Sequence, residues 1–291
     1  MREAWDSTLT GDAMTCLRKF YYLHVEGWRP RKLSVDLFFG GVYASCLEHY
    51  HKFLANGMPK EDAVLEVISK ALYDTWFYDV DGKDGSPWVS DHNTKTRETL
   101  IRTLVWYVDT FDEDSMATIQ LSSGPAVEFS FEIALTDNII YCGHIDRLVE
   151  YQDDVLVQDQ KTTARTLAPS YFMQYEHPNQ QMTGYIFAGQ IIYKQTVKGA
   201  VIDAAQIAVG FSRFERGFTF RTPDQLEEWR VNAQYAIGQA NLENYPQNPT
   251  SCDKYGGCMF REVCRRSPSV RKQFLMADFE VKPLWNPQAK R

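Results

Sequence analysis

From Ala126 to Leu135 the chain alternates strictly, with Val127, Phe129, Phe131, Ile133 and Leu135 set against Glu128, Ser130, Glu132 and Ala134. A period of two predicts a strand with one buried face. Thr136-Asp137-Asn138 reads as a turn and residues 139–151 as a second strand. Gln152-Asp153 then leads to a third over 154–163, so the three are expected to form an antiparallel meander. Upstream the spacing becomes helical: 36–56, 60–78 and 94–114 carry apolar residues three and four apart, with a polar Gly/Pro-bearing loop at 81–93. The first 120 residues therefore read as mainly helical. A helix over 179–195 follows the meander, then strands across 200–214 and 217–222, and a helix of roughly 223–244 opened by Pro223. Strands flanked by helical blocks predict α+β, or α/β with a mixed sheet.

The composition, 44% hydrophobic and 24% charged, is that of an ordinary globular protein, and no apolar run approaches the roughly 20 residues of a membrane span. MREAWDSTLT has no basic-then-apolar leader pattern, which predicts the cytoplasm, or a host's cytoplasm for a phage-encoded chain. A net charge of −7 argues against holding nucleic acid by bulk electrostatics, while a local basic groove stays open. Positive charge gathers at Arg18, Lys19, Arg29, Arg31 and Lys32, and again at Arg261, Arg265 and Arg266, where a solvated rim is the plainer reading. Phe20, Tyr21 and Tyr22 offer rings for stacking a single strand, although core packing is their commoner use.

The chemistry begins in the meander. Asp159 and Lys161 are two apart in a strand and leave the same face. A two-residue turn at Gln152-Asp153 sets Asp146 opposite Asp159, with Cβ atoms roughly 5 Å apart. Neighbouring carboxylates repel unless positive charge sits between them. A hard dication such as Mg²⁺ or Mn²⁺, taking oxygen ligands at about 2.1 Å, meets that need. Lys161 beside it can orient or help deprotonate a water and neutralise a phosphate. A bare D…DxK pattern is also common on solvated hairpins, where Asp153 and Asp154 belong.

Three motifs in order then carry a resemblance: Gly143 with Asp146, Asp159-Gln160-Lys161, and Gln181 with Tyr185 on the following helix. Together they resemble the PD-(D/E)xK nuclease superfamily in its RecB-like branch, marked by GxxD, (D/E)xK and QxxxY. The resemblance implies a restriction-endonuclease-like core, with a mixed central sheet flanked by helices, and metal-dependent hydrolysis of DNA phosphodiester bonds. Asp146, Asp159 and the backbone carbonyl of Gln160 would hold Mg²⁺ or Mn²⁺. Lys161 would assist the attacking water, and Gln181 and Tyr185 would line the site toward DNA. The family's upstream helix reads G-x-x-x-H-x-x-x-E, whereas this chain has Ser45 at the histidine's place after Gly41. Glu48, His49 and Glu128 are the further candidate ligands.

Of six cysteines, Cys46 and Cys142 fall on apolar elements and read as buried thiols. Cys252, Cys258 and Cys264 lie within 13 residues, and Cys16 is the natural fourth ligand. Spacing leaves four-cysteine zinc and a [4Fe–4S] cluster open. The resemblance to AddB-type domains and CRISPR-associated RecB-like nucleases, with one cysteine before the core and three after it, implies [4Fe–4S]. In the run Cys16-Leu17-Arg18, leucine stands where that family has proline.

The expected organisation is one nuclease domain over 1–291, with a helical subregion at 40–120, a catalytic sheet core at 124–222, and a cysteine clasp at 250–266 pairing with Cys16. The expected function is a DNA exonuclease acting on single strands or ends, in repair, recombination, or phage or CRISPR DNA processing. Two alternatives from the same residues are a non-catalytic DNA-binding or assembly subunit, and a nuclease trimming DNA for CRISPR integration with a protein partner.

Overall fold

In the computed structural model, which describes residues 2–32, 34–78, 85–253 and 257–288, Gln152 and Asp153 both take the left-handed backbone region, with φ of 51° and 64°. Two such residues make the tight turn whose twist matches a hairpin. The turn fixes the antiparallel register of Ile139–Tyr151 with Asp154–Thr163, from the pair Tyr151–Asp154 to the pair Arg147–Gln158. Val127–Thr136 pairs with Ile139–Tyr151. Its alternation is visible in burial: Val127, Phe131, Ile133 and Leu135 are buried, while Ser130, Glu132 and Ala134 are exposed.

The chain packs as two compact units built from separated stretches, one of Met1–Leu33, Ser130–Gly143 and Pro223–Arg291, the other of Ser34–Phe129 and His144–Thr222. In the second unit Asp154–Thr163 also pairs in parallel with Gly199–Ile207, which pairs antiparallel with Ser212–Phe220. The sheet is therefore mixed. Helices Val35–Ala55, Lys60–Asp74 and Arg97–Thr110 bury Phe39, Tyr43, Leu47, Leu100 and Leu104 in one core with Ala205 and Ile207 of the sheet. Helix Gln180–Tyr193 brings Gly189 so close to the sheet that an added Cβ would stand 3.5 Å from Val157. This is the helix-flanked mixed sheet of a restriction-endonuclease-like fold.

Local sequence explains where the helices start. Ser34 accepts from Leu37 N–H at 3.3 Å, and Asn179 accepts from Met182 N–H at 2.9 Å. Thr96 and Thr99 form a reciprocal capping box, so the helix expected from 94 begins at Arg97. The helix expected over 60–78 stops at Asp74. Thr75 turns its hydroxyl back onto the Ala71 carbonyl at 2.6 Å, and the aromatic run Trp76–Tyr78 pairs as a strand with Gly85–Pro87. Residues 81–84 of the expected loop, with 79 and 80 before it, lie outside the described residues. The strand expected over 200–214 breaks after Ile207 into a hairpin closed by Ala208 N–H to the Phe211 carbonyl (3.0 Å), and its return strand runs through 217.

Every residue of Gly199–Ile207 is buried, and one of them is Asp203. Its Oδ2 accepts from Gln158 Nε2 at 2.5 Å, Tyr107 O–H at 2.8 Å and Arg216 Nε at 3.2 Å. Arg216 also donates both Nη atoms to Asp114, at 2.7 and 2.9 Å. Arg147 donates to Gln158 Oε1 at 2.9 Å, Thr118 Oγ1 at 2.8 Å and the Met116 carbonyl at 2.9 Å. The sheet thus holds an ionic network joining a helix, four strands and the segment before Val127, centred on Asp203 Oδ2, while Asp203 Oδ1 is buried without a hydrogen-bond partner among the described residues.

In the first unit Ala4–Trp5 pairs in parallel with Ile140–Tyr141, and Trp5 stacks on Phe20 at 5.5 Å. Helix Pro223–Asn241 sets Trp229 edge-on to Tyr141. A ribbon of Trp28–Pro30 with Phe279–Val281 packs on Tyr22, Phe260 and Leu275. Cys142 is buried here and Cys46 in the second unit; both are free thiols pushed up to about 12 by burial. No described helix is long and apolar enough to cross a membrane.

Replacing Asp203 by Ala leaves Arg216 and Gln158 without their shared acceptor in a dry sheet. We expect a loss of about 3–5 kcal/mol, read as a lower urea midpoint, with Asp203→Asn losing less. Equal midpoints for Asp203→Ala and wild type would refute the network's role.

Candidate active site

The registered ladder ends at Gln158–Arg147, and one step on stand Asp159 and Asp146. Asp159 is 1% exposed and its carboxylate is ion-paired with Lys161. Asp146 Oδ2 accepts from the Gln160 backbone N–H at 2.8 Å. The three residues of the D…DxK pattern therefore meet at one place. Burial first, and then the charge of Asp159, push the Asp146 carboxyl up to about 7. Burial opposes the Lys161 ammonium, but Asp159 and then Asp146 outweigh it and hold the lysine well above its ordinary value. Lys161 is thus a fixed cation at neutral pH, suited to orienting a water or meeting a phosphate rather than accepting a proton. Two carboxylates share that single ammonium, so Asp146 can ionise as well only by leaving one negative charge unmatched.

Glu48, Glu128, Asp146 and Gln160 line one small cavity with Ala44, Leu47, His51 and Arg147. The helix face on this cavity therefore carries Ala44, Leu47, Glu48 and His51, one turn apart in succession. Ser45 is not among the lining residues, whereas its neighbour Ala44 is. His49 stacks instead on Phe53 at 6.1 Å. Glu48 is ion-paired with Lys52 at 2.5 Å. Glu128 holds a φ of 44°, a left-handed conformation inside a strand that a side chain rarely adopts without cause. On the following helix Gln181 Nε2 donates to Tyr185 O–H at 3.3 Å, and Tyr185 bears electrostatically on Lys161.

The donors fit a hard dication by chemistry: oxygen atoms, buried, with one carboxyl more than the single ammonium can match. Among the described residues no three His, Cys, Asp or Glu side chains stand as a ready-made metal group, so protein donors beyond the two aspartates would have to close in. Sequence reasoning missed Asp203, Gln158, Arg147 and His51. The signal for the first was present, a lone acid in the apolar run AVIDAAQI.

Cys16, Cys252, Cys258 and Cys264 all belong to the first unit. Cys16 Sγ accepts from Asn248 N–H at 3.4 Å, and the Cys252 thiol donates to the Asn248 carbonyl at 3.9 Å. Cys258 N–H donates to the Cys252 carbonyl at 2.8 Å, and Cys258 and Cys264 pack with Tyr22, Phe260 and Val263. Burial raises both of those thiols, and Cys16 adds to the effect on each. Residues 254–256 of the intervening loop lie outside the described residues.

A mixed sheet that brings two acids and a lysine together beside a Gln/Tyr helix defines a nuclease of the restriction-endonuclease-like class. The chain belongs to the PD-(D/E)XK nuclease superfamily, whose sequence profile matches residues 11–265. Among solved structures it is similar to a candidate exonuclease from Eubacterium rectale, at 10% identity and a TM-score of 0.49, covering 86% of each chain. It is also similar to the protein SSO0001, at 12% identity and a TM-score of 0.36, covering 91% of this chain and 87% of that one. Compared with curated protein sequences, it has no match.

A carboxyl raised from about 4 to about 7 means the metal-free fold keeps a proton that the unfolded chain has lost. Stability from this group is present below that window and falls as pH rises through it. Asp146→Asn should therefore melt above wild type at pH 8 without metal, with the gap closing toward pH 5, and should not gain from Mn²⁺. Parallel melting-versus-pH curves would overturn this.

Proposed function

We propose that the protein is a metal-dependent DNA nuclease, and an exonuclease acting on single strands or ends. The observation that carries the reading is the convergence of Asp146, Asp159 and Lys161, two carboxyl groups on a single ammonium. Asp146, Asp159 and the Gln160 carbonyl would hold Mg²⁺ or Mn²⁺, with Glu128 and Glu48 as further acids on the same cavity. When bound, the ion supplies Lewis acidity and a bound water of lowered pKa. Lys161, as a cation, orients the nucleophile and meets charge developing on the phosphate. Gln181 and Tyr185 face the strand. An acid 1% exposed is out of reach of the middle of a stiff duplex, so an unpaired strand or a frayed end fits better.

By the RecB-like resemblance Cys16, Cys252, Cys258 and Cys264 would hold a [4Fe–4S] cluster; among the described residues no three of them stand together as a metal-holding group, so the thiolates would have to draw together around it. It would stabilise the first unit and take no part in hydrolysis. One observation favours a different reading, a DNA-binding subunit without activity: Ser45 stands where the family's helix histidine is expected, and Ser45 does not line the cavity.

End-labelled single-stranded DNA with Mn²⁺ distinguishes the two. Anaerobically purified wild type should shorten the label progressively, and Lys161→Ala should lose at least about a thousandfold. Cutting of circular single strands at the same rate would make it an endonuclease, and Mn²⁺ binding without any cleavage would favour the binding subunit. Metal analysis of the same preparation should give about four iron and four sulfide per chain, lost together in Cys258→Ser. One zinc per chain would replace the cluster reading.

A further inference from the structure

Beside the small cavity at Asp146 lies a second, larger one of about 380 Å³, and the two share His51 and Arg147 as walls. A space of this size is ample for a small ligand. We propose that this second cavity receives the nucleobase next to the scissile phosphate, an inference that rests on the nuclease reading above and adds an unpaired-base requirement to it.

Three observations select a base over a phosphate. Tyr50, Tyr107 and Phe111 contribute aromatic walls, and stacking on such rings is how unpaired bases are held without regard to sequence. The charges in the walls are already matched. Lys60 is ion-paired with Asp112, Asp114 takes a bidentate bond from Arg216, and all three Arg147 nitrogens are committed to Thr118, Gln158 and the Met116 carbonyl. No cation is left over for a phosphate, whereas a neutral polar ring meets no penalty. Third, His51 is 5% exposed and its Nε2 has no hydrogen-bond partner among the described residues. Its ring is held edge-on by Tyr50 and Tyr107, at 5.4 and 6.2 Å between centroids. Burial holds the imidazole well below its ordinary pKa, so the ring is neutral and can offer a lone pair or an N–H. An unsatisfied nitrogen in such a place is costly unless a ligand completes it.

A base can enter only after leaving its stack, so a duplex must be frayed first. The geometry thus ties strandedness to this pocket as well as to the buried reaction centre.

The test uses full-length protein with Ca²⁺ in place of Mg²⁺, so that strands are held uncut. Single-stranded oligonucleotides carry an abasic residue at each position in turn, and binding is followed by anisotropy. One abasic position should weaken binding about tenfold or more, and 2-aminopurine at that position should change its emission on binding. Leu54→Trp, which adds bulk at a cavity-lining residue 36% exposed, should bind the intact strand as weakly as wild type binds the abasic one. It should bind the abasic strand unchanged. Should Leu54→Trp not fold, His51→Phe keeps the ring and removes the nitrogen, and is expected to lose any preference among bases at that position. Abasic strands bound like intact ones at every position overturn the pocket even if cleavage with Mn²⁺ is normal. Base-dependent binding with no cleavage supports the pocket and overturns the nuclease reading instead. No binding of any strand overturns both.

Discussion

A carboxylate in the middle of a fully buried strand has to be matched by donors, and at Asp203 that requirement arranges the second unit. Its donors come from the parallel neighbour (Gln158), the antiparallel neighbour (Arg216) and a helix (Tyr107). All three are in reach only when Gln160 lies across from Asp203, which is the register observed. A slip by one residue would turn each side chain of Asp154–Thr163 to the opposite face. Gln158 would then leave Asp203, and Asp159 and Lys161 would leave Asp146 together. The register that satisfies the network is therefore the register that assembles the candidate active site.

Asp146 and Arg147 are neighbours in sequence and both line the small cavity, but their surroundings differ. Around Arg147 every charge is met, by Gln158, Thr118, Asp114 and a backbone carbonyl. Around Asp146 two carboxyl groups share one ammonium, and burial holds the Asp146 carboxyl near neutrality instead of fully ionised. Buried charge is tolerable when fully paired and expensive when not. One strand thus borders both a structural ion network and the carboxylate–lysine cluster, and strongly perturbed electrostatics of the second kind are expected where function is located.

The site was legible in the sequence to the extent that it is local. Asp159 and Lys161 share a face by period alone, and the Gln152-Asp153 turn set the register that brings Asp146 to them. Gln181 and Tyr185 meet because four residues make a helical turn. What depended on helix rotation was less legible: a one-residue shift turns a side chain by about 100°, enough to exchange Ser45 for Ala44 at the cavity. The Asp203 network was not readable, because its partners lie between 13 and 96 residues away along the chain. Termini of elements failed where a single side chain decided them, as Thr75 did by bonding back to Ala71. The two units also interleave in sequence, with Ser130–Gly143 drawn out of the meander into the first, so no change of composition marks the division.

The conformation of Glu128 bears on how the site works without a histidine at position 45. Its left-handed φ sits in a strand otherwise alternating regularly, and the backbone is clamped just before it. Ala126 N–H donates to the Ile119 carbonyl at 2.8 Å, and Leu148 N–H donates to the Ala126 carbonyl at 2.9 Å. Strain of that kind costs about 1–3 kcal/mol and persists only where the surroundings impose it. Packing gives no reason for it, since Val127 and Phe131 face the core in the normal alternation. The consequence is that a third carboxylate joins Asp146 and Glu48 on one cavity whose only imidazole is held neutral. Acids gathered in this way raise one another's affinity for protons, and the same negative potential would suit a hard dication that displaces them. Carboxylate oxygens outnumber the single imidazole, His51, among the residues lining this cavity, and such a donor set suits Mg²⁺ or Mn²⁺ better than softer metals.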